Sequence, residues 1–160
     1  NDVKYKFKSK FEEKILVWMA ICPKGPSTLY KAPQKQAINQ QIYLKECIIR
    51  RLLPMINKYY KGNKNYVFWP DLASSHYAKS VISFLKSKKI EFIDKSINPA
   101  NTQEVRPIED FWSEFKRMVY CQAENVDQLI NRINYCFSKM NNGIFHKYSI
   151  CVKKRLYNMS

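Results

Sequence analysis

Hydrophobic and polar positions change period several times along this chain, and each change marks an element. From Lys4 to Phe11 the residues alternate Lys-Tyr-Lys-Phe-Lys-Ser-Lys-Phe, which at period two sets lysines on one face of an edge strand and mostly aromatics on the other. Lys14 to Cys22 is a short apolar run of the kind that forms a strand buried on both faces. The turn residues Pro23 to Pro26 close it, and Ser27 to Lys31 reads as the hairpin partner. Ile38, Ile42, Ile49, Leu52 and Leu53 then recur at helical spacing until Pro54, predicting a first helix that stops there.

Beyond the loop Lys61 to Asn65, Tyr66 to Trp69 reads as a strand ended by Pro70, and Ser74 or Ser75 as the cap of a helix with Ala78, Val81, Ile82 and Leu85 on one face. A strand at Ile90 to Ile93 and an irregular stretch from Asp94 to Glu104 follow. Pro107 opens a helix running to Tyr120, since proline presets φ and lacks a donor that the first helical position could not use. Val126, Leu129, Ile130, Ile133, Phe137 and Met140 form the apolar stripe of a further helix, and Ile144 to Tyr157 a last segment carrying Lys153, Lys154 and Arg155. Those three cations are either a solvated face or contacts to a nucleic-acid backbone. Residues 1–120 therefore read as an α/β core and residues 121–160 as C-terminal helices packed on it.

Composition narrows the class. The 160 residues, 46% hydrophobic and 14% aromatic, suffice for one sizeable core. A formal charge of +15, from 28 Lys and Arg against 13 Asp and Glu, favours a polyanionic partner, with DNA or RNA first. The longest apolar run, Ile15 to Cys22, is far too short to span a bilayer, and no signal-peptide pattern is present. Five scattered cysteines without a Cys-x-x-Cys pair read as buried thiols of a reducing compartment, not as disulfides or a zinc site.

Against so basic a background, carboxylates at the ends of regular elements point to a bound cation. Asp71 stands just past a strand's C-terminal end, the edge of an α/β sheet where ligands gather. Glu109 and Asp110 are adjacent at a helix start, and helical phase separates them. At about 100° per residue from Ile108, the apolar arc of Phe111, Trp112, Phe115, Met118 and Val119 centres near 340°, with Glu109 near 100° and Asp110 near 200°. Glu109 thus borders the buried face, whereas Asp110 is expected to face solvent and complement the helix N-terminus. Mg²⁺ or Mn²⁺ is the expected ion. His76 and Lys116 are accessory candidates, a hydrogen-bonding histidine and a solvated lysine being the plainer readings of each.

Three segments, in order, carry a resemblance. Lys14-Ile-Leu-Val-Trp-Met-Ala-Ile-Cys-Pro-Lys-Gly25 resembles "vmvWgais-kG", Asp71-Leu-Ala-Ser-Ser-His76 resembles "DNApsH", and Arg106-Pro-Ile-Glu-Asp-Phe-Trp112 resembles "NPIEnlW". All three belong to the catalytic domain of mariner-type transposases, within the DDE transposase and integrase superfamily. The resemblance implies an RNase H-like mixed sheet with flanking helices, and a site in which three carboxylates hold two divalent ions for phosphodiester cleavage and strand transfer. Asp71 takes the second position and Glu109 the third.

The chain departs from the pattern at Leu72, where the family commonly has Asn, and at Asn98 to Glu104, where it has a shorter Ser-Pro-Asp loop. The larger departure is at the front. The central strand with the first aspartate is not evident, and Asp2 lies too few residues before Lys14 to supply it. Either Ile15 to Ala20 pairs directly with Tyr66 to Trp69, or Val3 to Lys8 fills part of the gap, or the natural protein is longer. The expectation is a fragment of a nuclear DNA transposase, inactive alone, with a homodimer allowed. The alternative is a non-catalytic, transposon-derived DNA-binding or interaction protein.

Overall fold

The computed structural model describes residues 14–62, 65–100, 106–120, 123 and 125–150. The expected edge strand Lys4 to Phe11, Asp2 and the cations Lys153, Lys154 and Arg155 lie outside the described residues.

The apolar run after Lys14 is a hairpin, interrupted once on each arm. β1 (Val17–Trp18) pairs antiparallel with β4 (Tyr30–Lys31), and β2 (Ile21–Cys22) with β3 (Gly25–Pro26) across the turn at Pro23 and Lys24. Val17 stands opposite Lys31 but Ile21 opposite Pro26, so Met19 and Ala20 on one arm face Ser27, Thr28 and Leu29 on the other. That extra residue is a β-bulge, which bends the strand. The buried Ser27 spans it: its N–H donates to Ala20 O at 2.8 Å and its Oγ accepts from Ala20 N at 3.0 Å.

Period two still governs the first arm. Trp18, Ala20 and Cys22 join one apolar cluster, whereas Ile15, Val17, Met19 and Ile21 join another. The first cluster is completed by residues between Ile38 and Tyr60 and between Ala78 and Ile90, the second by residues between Ile108 and Val119 and between Leu129 and Tyr148, so helices cover both faces of the hairpin. This is the burial on both sides that the continuous apolar run predicted.

The first helix does not stop at Pro54. It runs as α1 (Gln40–Ile42), a π-helical stretch (Tyr43–Leu52) and α2 (Leu53–Tyr60), capped at its start by Asn39, whose side chain accepts from Ile42 N. The π turns account for this continuity. The N–H of Leu53 donates to Ile48 O, five residues back, and Pro54 then falls in the first turn of α2, where its missing donor is tolerated. Wider turns also rotate the buried face: Tyr43, Cys47, Ile48 and Leu52 are buried, whereas Ile49, expected on the apolar stripe, is 39% exposed.

The two later strands shrink to a single parallel bridge between Phe68 and Phe92, where Phe68 N donates to Glu91 O at 2.8 Å and Ile93 N to Phe68 O at 3.0 Å. Neither Ser74 nor Ser75 caps a helix, because a 3₁₀ turn (Ser74–Tyr77) intervenes and Ala78 is extended before α3 (Lys79–Ser87) starts. α4 (Pro107–Val119) matches the expected helix and buries Phe111 and Phe115, which stack at 5.5 Å. α5 (Val126–Ser138) and α6 (Asn142–Ile150) pack on α4, and α6 also contacts β2 and β3.

Direct pairing of Ile15 to Ala20 with Tyr66 to Trp69 does not occur. No backbone hydrogen bond among the described residues joins these two stretches. Between them lies a cavity of about 510 Å³, walled by residues 17–23 and 65–71 and closed by Tyr43, Leu52, Ile108 and Trp112. The hairpin spends the inward groups of Leu16, Ala20 and Cys22 on its own partner arm, so ladder geometry turns those of Val17, Met19 and Ile21 toward this cavity.

Candidate functional site

Asp71 reaches this cavity because Pro70 cannot continue a ladder, so the chain turns out immediately after Trp69. The turn is fixed by the carboxylate itself: Ala73 N donates to Asp71 Oδ1 at 2.9 Å, an Asx turn. The same oxygen lies 2.6 Å from His76 Nδ1, close enough for an ion pair but not aligned as a hydrogen bond. The Asp71 side chain is 54% exposed, and no hydrogen bond engages its Oδ2 among the described residues. Burial pushes its carboxyl up, yet His76, the Ala73 N–H and the Arg106 charge together pull harder, leaving its pKa below the ordinary value.

His76 is held from behind. Its ring stacks on Tyr43 at 3.9 Å and 23°, and both side chains are buried. Burial drives the Tyr43 phenol far above its usual pKa, with Cys47, Asp71 and Tyr77 adding to the shift, so Tyr43 stays neutral. Its hydroxyl has no hydrogen-bond partner among the described residues, nor do His76 Nδ1, Arg106 Nε or Ser149 Oγ, all from residues lining the cavity.

Glu109 lines the same cavity from a helix. Pro107 starts α4, which puts Glu109 in the first turn with its N–H donating to Arg106 O at 3.1 Å. There the helix N-terminus favours a carboxylate. Glu109 lines the cavity and Asp110 does not, as the helical phase predicts, although Asp110 is half-buried rather than fully solvated. Lys116 is exposed, two turns along, and does not line the cavity.

Sequence reasoning passed over Arg106, Asn98 and Tyr43. Arg106 caps α4 from the cavity wall, where its guanidinium donates to Asn98 Oδ1 at 3.4 Å and to Pro99 O at 3.3 Å. Its place directly before Pro107 could have flagged it. Nothing in the pattern marks Tyr43, because the π turns that bury it are invisible to a 3.6-residue period.

The arrangement therefore brings Asp71, His76, Arg106 and Glu109 to one cavity. Carboxylate oxygens suit Mg²⁺ or Mn²⁺ in kind. They do not suffice in number: among the described residues no group of three or more His, Cys, Asp or Glu comes close enough to hold a metal ion.

No protein-family model and no curated protein matches this chain. Solved structures do. The catalytic domain of Mos1 mariner transposase superimposes with a TM-score of 0.75 at 16% identity, covering 89% of this chain and 71% of that one. A pre-cleavage Mos1 transpososome gives 0.76 at 14% identity over 99% of this chain and 48% of that one. The Mos1 mariner paired-end complex with Mn gives 0.78 at 14% identity, over 96% and 45% respectively. Asp71, just past the Phe68 bridge, and Glu109, in the first turn of α4, thus line one cavity in a chain with the fold of the Mos1 mariner transposase catalytic domain.

Proposed function

We propose that this chain is part of the catalytic domain of a mariner-type DNA transposase, in which Asp71 and Glu109 hold a divalent cation. The observation that carries the proposal is their convergence on one cavity from elements whose order matches the transposase fold. Related Mos1 structures include ones with Mn and with Mg, and others assembled on transposon ends. Hard oxygen ligands, a +15 charge and that fold favour DNA as the partner and the nucleus as the place of action.

A bound divalent ion supplies Lewis-acid polarisation of a phosphodiester and a more acidic water or hydroxyl. This chain's residues do the holding: Asp71 offers Oδ2 because Ala73 and His76 engage Oδ1, and Glu109 is presented by the first turn of α4. The remaining donor is expected from a segment that fills the cavity between residues 17–22 and 66–69 in the whole protein. Two observations favour the second reading, DNA binding without cleavage. Arg106 already offers a positive charge to Asp71, and the described residues lack a three-ligand cluster.

A nicking assay on supercoiled DNA with Mg²⁺ or Mn²⁺, using the full-length product, separates the readings. Asp71→Asn and Glu109→Gln are each expected to abolish nicking; undiminished nicking in either variant overturns the assignment. DNA binding without nicking by the unaltered full-length product supports the second reading.

A further inference from the structure

Asn98 is 6% exposed and sits where four segments meet. Its Oδ1 accepts from Trp69 Nε1 at 2.8 Å and from the Arg106 guanidinium at 3.4 Å. Its Nδ2 donates to Pro70 O at 2.8 Å and to the Tyr77 hydroxyl at 2.7 Å, and that hydroxyl donates onward to Ile93 O at 3.2 Å. The amide's orientation is settled by its partners, since an indole N–H can only donate and a backbone carbonyl can only accept. Every one of these partners abuts the site: Trp69 and Pro70 lead into Asp71, Tyr77 follows His76, and Arg106 heads the helix carrying Glu109.

We infer that Asn98 is a positioning residue that holds the strand end bearing Asp71 in register with the helix head bearing Glu109. The two carboxylates come from elements with no backbone hydrogen bond between them among the described residues, and Asn98 bonds to both, to Trp69 and Pro70 on one and to Arg106 on the other. Asn98 suits this because one amide supplies both acceptor and donor: its oxygen joins Trp69 to Arg106, and its nitrogen joins Pro70 to Tyr77. Aspartate at this position keeps the acceptor toward Trp69 and Arg106 but loses both donations; alanine loses everything. The inference rests on the reading of Asp71 and Glu109 as co-ligands, and its first readout is independent of that reading.

The test compares amide and indole NMR spectra of the 160-residue chain with those of Asn98→Ala, Asn98→Asp and the remote core variant Ile133→Val. Asn98→Ala is expected to shift the Trp69 indole, the Ala73 and His76 amides, and the Ile108 and Glu109 amides together. Asn98→Asp is expected to preserve the indole and the Ile108 and Glu109 signals while shifting those near Tyr77; it also serves if the alanine variant does not fold. Unmoved Ile108 and Glu109 amides in Asn98→Ala, or equal shifts in Ile133→Val, overturn the inference. Mn²⁺ titration of the full-length product adds a second readout, with affinity expected to fall about tenfold in Asn98→Ala and to be largely restored in Asn98→Asp. Equal Mn²⁺ binding by the unaltered full-length product and its Asp71→Asn variant would defeat the metal reading alone, and the amide pattern would still decide the role of Asn98.

Discussion

Gly25 adopts φ +144° at the end of the Pro23-Lys24 turn, and a Cβ there would run into the Tyr59 hydroxyl. Strain and overlap act together, so Gly25→Ala is expected to lower stability by about 2 kcal/mol or more in urea unfolding. An unchanged midpoint would mean that the turn is not built this way. Glu46 gives a pH-dependent counterpart. Burial pushes its carboxyl up, but Arg50 at 2.7 Å and Arg51 at 3.2 Å pull it down further, so its folded pKa is lowered. A depressed carboxylate contributes fully above its unfolded pKa, and the contribution disappears as pH falls through the folded value. Because Arg50 is largely exposed, the contribution is modest, about 0.5 kcal/mol. Glu46→Gln should therefore cost about that much at pH 7 and progressively less as pH falls through the folded value. A difference that persists in acid contradicts the pairing. Residues whose place follows from local rules were legible in the sequence: Asp71 just past Pro70 and Glu109 by helical phase, both on the cavity wall. Asn98 and Arg106 were not, because their partners lie in other elements and no periodicity announces a side-chain bridge.

Elements followed the same division. The hairpin and α4 were foreseen because a continuous apolar run in one and a 3.6-residue period in the other meet explicit boundaries, a turn and a first-position proline, and α5 was foreseen from its apolar stripe. The long helix was misjudged at both its end and its face, because the rules assumed α-helical turns throughout. Over the π stretch the buried positions are Tyr43, Cys47 with Ile48, and Leu52, spaced between four and five residues, and Pro54 comes where the α-helix restarts. Ile48 and Ile49 discriminate the two geometries. An α-helical stripe through Ile42, Ile49, Leu52 and Leu53 makes Ile49 the core residue, whereas here Ile48 is 0% exposed and Ile49 is 39% exposed. Ile48→Ala is expected to cost about 3 kcal/mol and Ile49→Ala less than about 1 kcal/mol in chemical unfolding. The reverse order would establish an unbroken α-helix. The two later strands are shorter than expected: among the described residues Phe68 has just the Phe92 bridge.

For the whole molecule, fold and charge support the proposed function by separate routes. The fold sets the carboxylates around a cavity between the hairpin and residues 65–71, two stretches that no backbone hydrogen bond joins among the described residues. That these stretches do not pair directly was not legible in the sequence, since it depends on the helices packed against both faces of the hairpin. Charge is the route that does not need the cavity to be filled. With +15 over 160 residues, association with DNA releases counterions whether or not cleavage follows. Metal binding depends on a few converging oxygens, whereas binding driven by this charge depends on many dispersed lysines and arginines. The two properties should therefore separate on mutation. Asp71→Asn removes one negative charge from the cavity rim, so it is expected to leave duplex binding intact or slightly tighter while weakening Mn²⁺ binding. In fluorescence-anisotropy titrations at 50 and 200 mM salt, the affinity of the 160-residue chain for duplex DNA should fall about tenfold or more, with the same slope in the variant. An affinity indifferent to salt would contradict the electrostatic reading. An affinity lost in Asp71→Asn would mean that DNA is gripped through the metal, and the two routes would collapse into one.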